Sequence, residues 1–90
     1  MIIRILSEGQ YRLDGPSLER IKRLDDDLMV TVLEDQPTEF HRIFDDLLTV
    51  VRTGHRLSPT ELVESDLILP AADMTFAEAK QLFHSDSGPS

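Results

Sequence analysis

Met1-Ile-Ile-Arg-Ile-Leu-Ser-Glu-Gly-Gln-Tyr-Arg-Leu-Asp14 decides the fold. Two short runs rich in β-branched and aromatic residues flank Ser7-Glu8-Gly9, a turn-forming tripeptide, and together they read as a β-hairpin beginning at the first residue. A two-residue Glu8-Gly9 turn would put Ile3 and Ile5 on one face with Arg12 and Asp14. A three-residue Ser7–Gly9 loop serves better. It gives Gly9 the left-handed position such loops require and pairs Ile5 with Tyr11 and Ile3 with Leu13 on one apolar face. Arg4 and Arg12 then become cross-strand neighbours on the other face, beside Ile2 and Leu6. Apolar pairing selects this register over its one-residue slip, because such a slip exchanges the two faces.

Downstream of the hairpin, Asp14-Gly15-Pro16 breaks the strand and offers proline to a first helical turn. Leu18, Ile21, Leu24, Leu28 and Val32 follow at three- and four-residue spacing, which predicts an amphipathic helix over residues 16–34. The i,i+4 pairs Glu19–Arg23, Lys22–Asp26 and Arg23–Asp27 would support it weakly. After Asp35-Gln36-Pro37-Thr38, a second stripe of Phe40, Ile43, Phe44, Leu47, Leu48 and Val51 predicts another helix, ending near Arg52 and Thr53 with Gly54 as its stop. The short link makes the two an antiparallel pair. Ser58-Pro-Thr-Glu61 fits a capping box over a single turn. Asp66-Leu-Ile-Leu-Pro70 can supply a third strand at Leu67–Leu69. Thr75-Phe-Ala-Glu78 is a second capping box, opening a last helix through Phe83. The expected architecture is α+β: one domain over residues 1–83 and a disordered tail over 84–90.

Ninety residues allow one small core, and the absence of cysteine rules out disulfides and thiolate metal sites. Nine basic against seventeen acidic residues give a net charge of −8. That balance argues against nucleic acid, which needs clustered cations, and against direct adsorption to anionic lipid. It suits solubility or a basic partner. The N-terminal run has no long apolar stretch or small-residue cleavage site, and no segment approaches the ~20 apolar residues of a membrane span. A cytoplasmic location is expected.

No catalytic constellation emerges. Asp25-Asp26-Asp27 point about 100° apart on a helix and cannot converge on one ion, so they read as a solvated face. Asp45-Asp46 and Glu34-Asp35 lack a base, nucleophile or cleft. His41 and Asp45 read as a surface pair, His55 as a loop residue and His84 as part of the tail. This is no metal-ligand spacing. No glycine-rich loop is available for phosphate. Phe40, Phe44, Phe76, Phe83 and Tyr11 are needed for the core. Arg4 and Arg12 stand apart. Like charges opposed in a sheet repel, so they call for an acidic neighbour within the chain or on a partner.

The opening run Met1–Leu13, the run Glu61-Leu-Val-Glu-Ser-Asp-Leu-Ile-Leu-Pro70 and Asp73-Met-Thr-Phe-Ala-Glu78 resemble the phage-shock-protein-A-associated proteins (PspAA), as does the order of hairpin, helix pair, strand-like segment and capped helix over residues 1–83. The resemblance implies a non-catalytic partner of phage shock protein A, a helical, self-assembling, membrane-remodelling protein of membrane-stress systems. It implies no cofactor and no catalytic residue, and membrane contact only through that partner. On this reading Ile2, Arg4, Leu6 and Arg12 form the docking face. Two other classes stay open: a small regulatory ligand-binding domain, which would need a pocket between hairpin and helices, and an acidic mimic that occupies a basic protein.

Overall fold

In the computed structural model, residues 1–61 and 63–86 are described, with side chains through residue 82. Strands β1 (Ile2–Ile5) and β2 (Gly9–Arg12) form the hairpin, followed by helices α1 (Pro16–Leu33) and α2 (Pro37–Arg52), strands β3 (His55–Arg56) and β4 (Leu67–Leu69), and helix α3 (Phe76–Asp86). Among the described residues the strands make one sheet in the order β3-β2-β1-β4, with β4 parallel to β1 and the other pairs antiparallel. The α+β class, the hairpin, the helix pair, the third strand at Leu67–Leu69 and the short C-terminal helix are all present.

The hairpin register differs from the sequence expectation by two residues. Ile3 pairs with Tyr11, Arg4 with Gln10 and Ile2 with Arg12, so the loop is Leu6-Ser7-Glu8 and Arg4 does not face Arg12 across the strands. A two-residue slip preserves both faces, so alternation of apolar residues cannot detect it. Three contacts favour the observed register. Met1 and Leu13 exchange hydrogen bonds beyond the strand ends, and Glu8, released to the tip, bonds both Tyr11 and Arg52. Ser7 is the left-handed residue within the loop, with φ 68°, while Gly9, also at positive φ (151°), opens β2.

Both helix starts use proline in the first turn, after Gly15 and Gln36. The α1–α2 link is a Schellman closure. Asp35 sits at φ 57°, its N–H bonds to the Val32 carbonyl, and the Gln36 N–H reaches back to the Thr31 carbonyl. These bonds cap α1 and turn the chain into α2. The i,i+4 pairs expected on α1 are not formed among the described residues; such exposed pairs gain little against side-chain entropy. On α2, Arg42 instead meets Glu39 at 2.6 Å. The expected His41–Asp45 pair is likewise not formed, and the His41 ring lies against Phe40.

Both helices pack on one face of the sheet. Ile3, Ile5, Tyr11 and Leu13 meet Phe40, Phe44, Leu47 and Val51 of α2, with Ile21, Leu28 and Val32 of α1 filling beside them. Burying each large apolar side chain contributes about 1.5–3 kcal/mol. Phe40 contacts Phe44 and Phe76 edge-on, which brings α3 onto the helix pair. Thr75 and Glu78 complete the capping box at the start of α3: the Thr75 N–H donates to the Glu78 carboxylate, and the Glu78 N–H donates to the Thr75 hydroxyl.

Two further differences concern the C-terminal half. His55 lies in strand β3 rather than a loop. It pairs with Arg12, because the chain leaving α2 at Gly54 passes directly against β2. A two-residue strand of exposed polar residues carries no apolar pattern to announce it. The backbone of α3 runs to Asp86, past the expected boundary at Phe83. His84-Ser85-Asp86 contains no helix breaker, and the first strong ones are Gly88 and Pro89. The Phe83 side chain and the rest of the expected tail, residues 87–90, lie outside the described residues.

Candidate functional site

The outer face of the sheet carries Ile2, Arg4, Gln10 and Arg12 of the hairpin, with His55, Leu57 and Ile68 from the flanking segments by register. Part of this face is covered. The segment after β3 folds back across it, and the Gln10 side-chain amide donates to the Val63 carbonyl at 2.8 Å and to the Ser65 hydroxyl at 2.8 Å. Asp66 then clasps Ile2: its carboxylate accepts from the Ile2 N–H at 2.7 Å, and its own N–H donates to the Ile2 carbonyl at 2.7 Å. Ile2, Gln10 and Leu57 are buried as a result.

The four residues read as a docking face are thus placed differently from one another. Ile2 is covered, while Arg4, Leu6 and Arg12 are exposed. Arg4 lines a hollow of about 500 Å³ that also holds Arg56, Glu61 and Glu64, whereas Arg12 lines a separate hollow of about 300 Å³ with Asp14 and His55. Among the described residues, neither arginine forms an ion pair.

At the hairpin tip, one polar cluster is closed on itself. The Glu8 carboxylate accepts from Arg52 at 2.6 and 2.8 Å and from the Tyr11 hydroxyl at 2.7 Å, and the Arg56 guanidinium donates to the Glu8 carbonyl at 2.9 Å. The Arg52 guanidinium, followed by Tyr11, holds the Glu8 carboxyl down to about 2. The same bond to the carboxylate pushes the Tyr11 hydroxyl up, aided by burial. With its partners consumed internally, this cluster reads as structural: it joins α2 and β3 to the tip.

A largely apolar cleft lies beside the edge strand β4. With a volume of about 490 Å³, it runs between the hairpin loop, α1, β4 and α3. Its floor is core, including Leu28, Phe40, Phe44 and Leu69. Its lip is formed by Leu6, Met29, Ile68 and Leu82, each between 41% and 58% exposed. Asp25, Asp73 and Glu78 also line it, and among the described residues no lysine, arginine or histidine does. Asp25 is therefore not simply part of a solvated face: it is partly buried at the cleft, and burial, then the neighbouring Asp26, pushes its carboxyl up.

Of the sequence-derived docking residues, the cleft uses Leu6 alone. Met29 and Leu82 were legible as apolar residues, but Met29 stands off the Leu18–Val32 stripe of α1, and that departure is the signal which marks it. Ile68 belongs to the Leu67–Leu69 strand and carries no separate signal in the sequence.

Among the described residues no group of three or more His, Cys, Asp or Glu could hold a metal ion, and no helix is long and apolar enough to cross a membrane. The fold and its surfaces define a small α+β domain with a half-covered sheet face and, beside β4, an apolar cleft. Residues 1–89 match the family described as PspA-Associated protein, and the chain belongs to that family. Neither a curated protein nor a solved structure matches it.

Proposed function

We propose that the domain is a non-catalytic interaction module that binds phage shock protein A and regulates it in the membrane-stress response. It acts in the cytoplasm, has no nucleic-acid partner, and meets the membrane only through phage shock protein A. The observation that carries this reading is the family match along residues 1–89, the family being named for association with PspA. The geometry supports it in two ways. Exposed Arg4 and Arg12 have no ion pair among the described residues and are available to a partner's carboxylates. Large apolar side chains at the cleft lip offer area to bury. Co-sedimentation with polymerised phage shock protein A tests the reading. Binding is expected at physiological salt and should weaken as salt rises, because exposed charges are screened; the domain remaining in the supernatant would remove the reading.

The cleft also keeps a second reading in view, a regulatory small-molecule site, since its volume of about 490 Å³ lies within the range of such pockets. A saturable thermal shift with a metabolite library would favour it.

A further inference from the structure

The cleft beside β4 combines three properties. First, four large, exposed apolar residues from four different elements line one opening: Leu6 from the hairpin loop, Met29 from α1, Ile68 from β4, at the edge it shares with the outer sheet face, and Leu82 from α3. Exposed hydrophobic residues scattered singly are ordinary on a protein surface, whereas a rimmed cluster marks an interaction site. Second, the apolar lining continues without a break into the core through Leu28 and Phe40, so an inserted side chain would meet packed, rigid walls. Third, among the described residues the charge on the lining is of one sign. Asp25, Asp73 and Glu78 contribute carboxylates, and no described cation answers them from the lining. Glu78 is engaged with Thr75, but Asp25 and Asp73 form no ion pair among the described residues. A carboxylate at the margin of an apolar cleft gains most from a cation delivered by whatever fills that cleft.

The shape selects among occupants. A strand added to the sheet edge would find only Leu67–Leu69 before Pro70 ends β4, too short a ladder to hold it. A small molecule needs a few converging donors and acceptors to fix its orientation, and this lining supplies carboxylates at its margin instead. A helix presenting aliphatic side chains at i, i+3 or i+4, and i+7 matches a groove whose anchoring residues come from several elements.

We infer that the cleft framed by Leu6, Met29, Ile68 and Leu82 is the seat of one amphipathic helix of the partner, its aliphatic stripe packing against these exposed rim residues above the buried Leu28 and Phe40 and its flanking lysines or arginines meeting Asp25 and Asp73. The identity of the partner rests on the phage shock protein A reading above; the chemistry of the helix rests on the cleft. Ile68 also connects the two surfaces, since it pairs with Arg4 across β1 and β4 and lies on the cleft lip.

The probe is a synthetic helical peptide of about 16 residues, roughly four turns, with leucines on one stripe and lysines on its flank, and a twin with glutamates in place of the lysines. Both are titrated into the full chain while methyl resonances are followed. Saturable shifts at Met29, Ile68 and Leu82 are expected with the lysine peptide, and binding at least about tenfold weaker with the glutamate twin. Met29→Glu with Leu82→Glu should abolish the shifts. Both positions are more than a third exposed, so folding is expected to survive. Asp25→Asn with Asp73→Asn, which keeps the apolar lining intact, should bring the lysine peptide down to the level of the twin. Equal binding of the two peptides, or shifts confined to Ile2 and Leu57 with Met29 and Leu82 unmoved, overturns the inference. Co-sedimentation separates it from the partner reading. If the lysine peptide seats in the cleft but phage shock protein A does not pellet the domain, the cleft stands and the partner reading falls. If the domain pellets and the Met29→Glu/Leu82→Glu variant pellets equally well, the partner reading stands and the cleft is overturned.

Discussion

The Arg52 guanidinium holds the Glu8 carboxylate through two hydrogen bonds of 2.6 and 2.8 Å, joining the end of α2 to the hairpin tip across 44 residues of sequence. Arg52, with help from Tyr11, lowers the Glu8 carboxyl from 4.5 to about 2. A carboxyl whose folded value is depressed contributes its full stabilisation above the unfolded value and loses it as pH falls through the folded one. Thermal stability should therefore decline between about pH 4.5 and 2. Glu8→Gln should lower neutral-pH stability by about 1 kcal/mol, since half-exposed ion pairs are modest. It should also flatten the profile in that window. A variant whose melting temperature tracks the wild type at every pH would contradict the linkage.

Gln10 holds the covering segment on the outer face. Gln10→Leu removes both side-chain donors and leaves the Val63 carbonyl to find water or go unpaired. The expected cost is about 1–2 kcal/mol. Amide exchange should quicken around Ser65 and Asp66, while exchange in α2 keeps its protection relative to global unfolding.

Gly54 presents a different constraint. It follows the end of α2 but does not adopt positive φ; a Cβ there would lie 2.6 Å from both the Arg12 carbonyl oxygen and the Leu13 Cγ. Close approach to β2 is what requires glycine here. Gly54→Ala should destabilise by about 1–3 kcal/mol through overpacking, with methyl shifts at Leu13. A neutral substitution, measured by urea unfolding, would show that α2 and β2 are free to separate.

What could be read in advance divides by range. Alternation in Ile3, Ile5, Tyr11 and Leu13 and the helical spacing of Phe40, Phe44, Leu47 and Val51 named the core faces, because each is a local pattern whose period survives in one element. Register was not local: moving the loop from Ser7–Gly9 to Leu6–Glu8 leaves every face unchanged, and the two are distinguished by Met1 meeting Leu13 and by Glu8 meeting Tyr11 and Arg52. Strand β3 was hidden for a similar reason, since His55 and Arg56 are both exposed and derive their pairing from where α2 ends. For the candidate site, Leu6 was legible as an exposed apolar residue of the hairpin. The cleft it shares with Met29, Ile68 and Leu82 depends on three elements far apart in the chain, and no pattern within any one of them shows that they converge.

Arg4 and Arg12 give the outer face its own test. Since neither has an ion pair among the described residues, replacing both with glutamine should change stability by no more than about 0.5 kcal/mol. Partner binding should weaken and lose part of its salt dependence. Lower stability with unchanged binding would make the arginines structural and withdraw them from the docking face.

The central claim, that this domain is a partner of phage shock protein A, is tested most directly by co-sedimentation of the full chain with polymerised phage shock protein A at physiological salt. The domain is expected in the pellet, saturating with added protein and released as salt is raised. A domain that stays wholly in the supernatant, folded by circular dichroism and beside a pelleted partner, would contradict the claim.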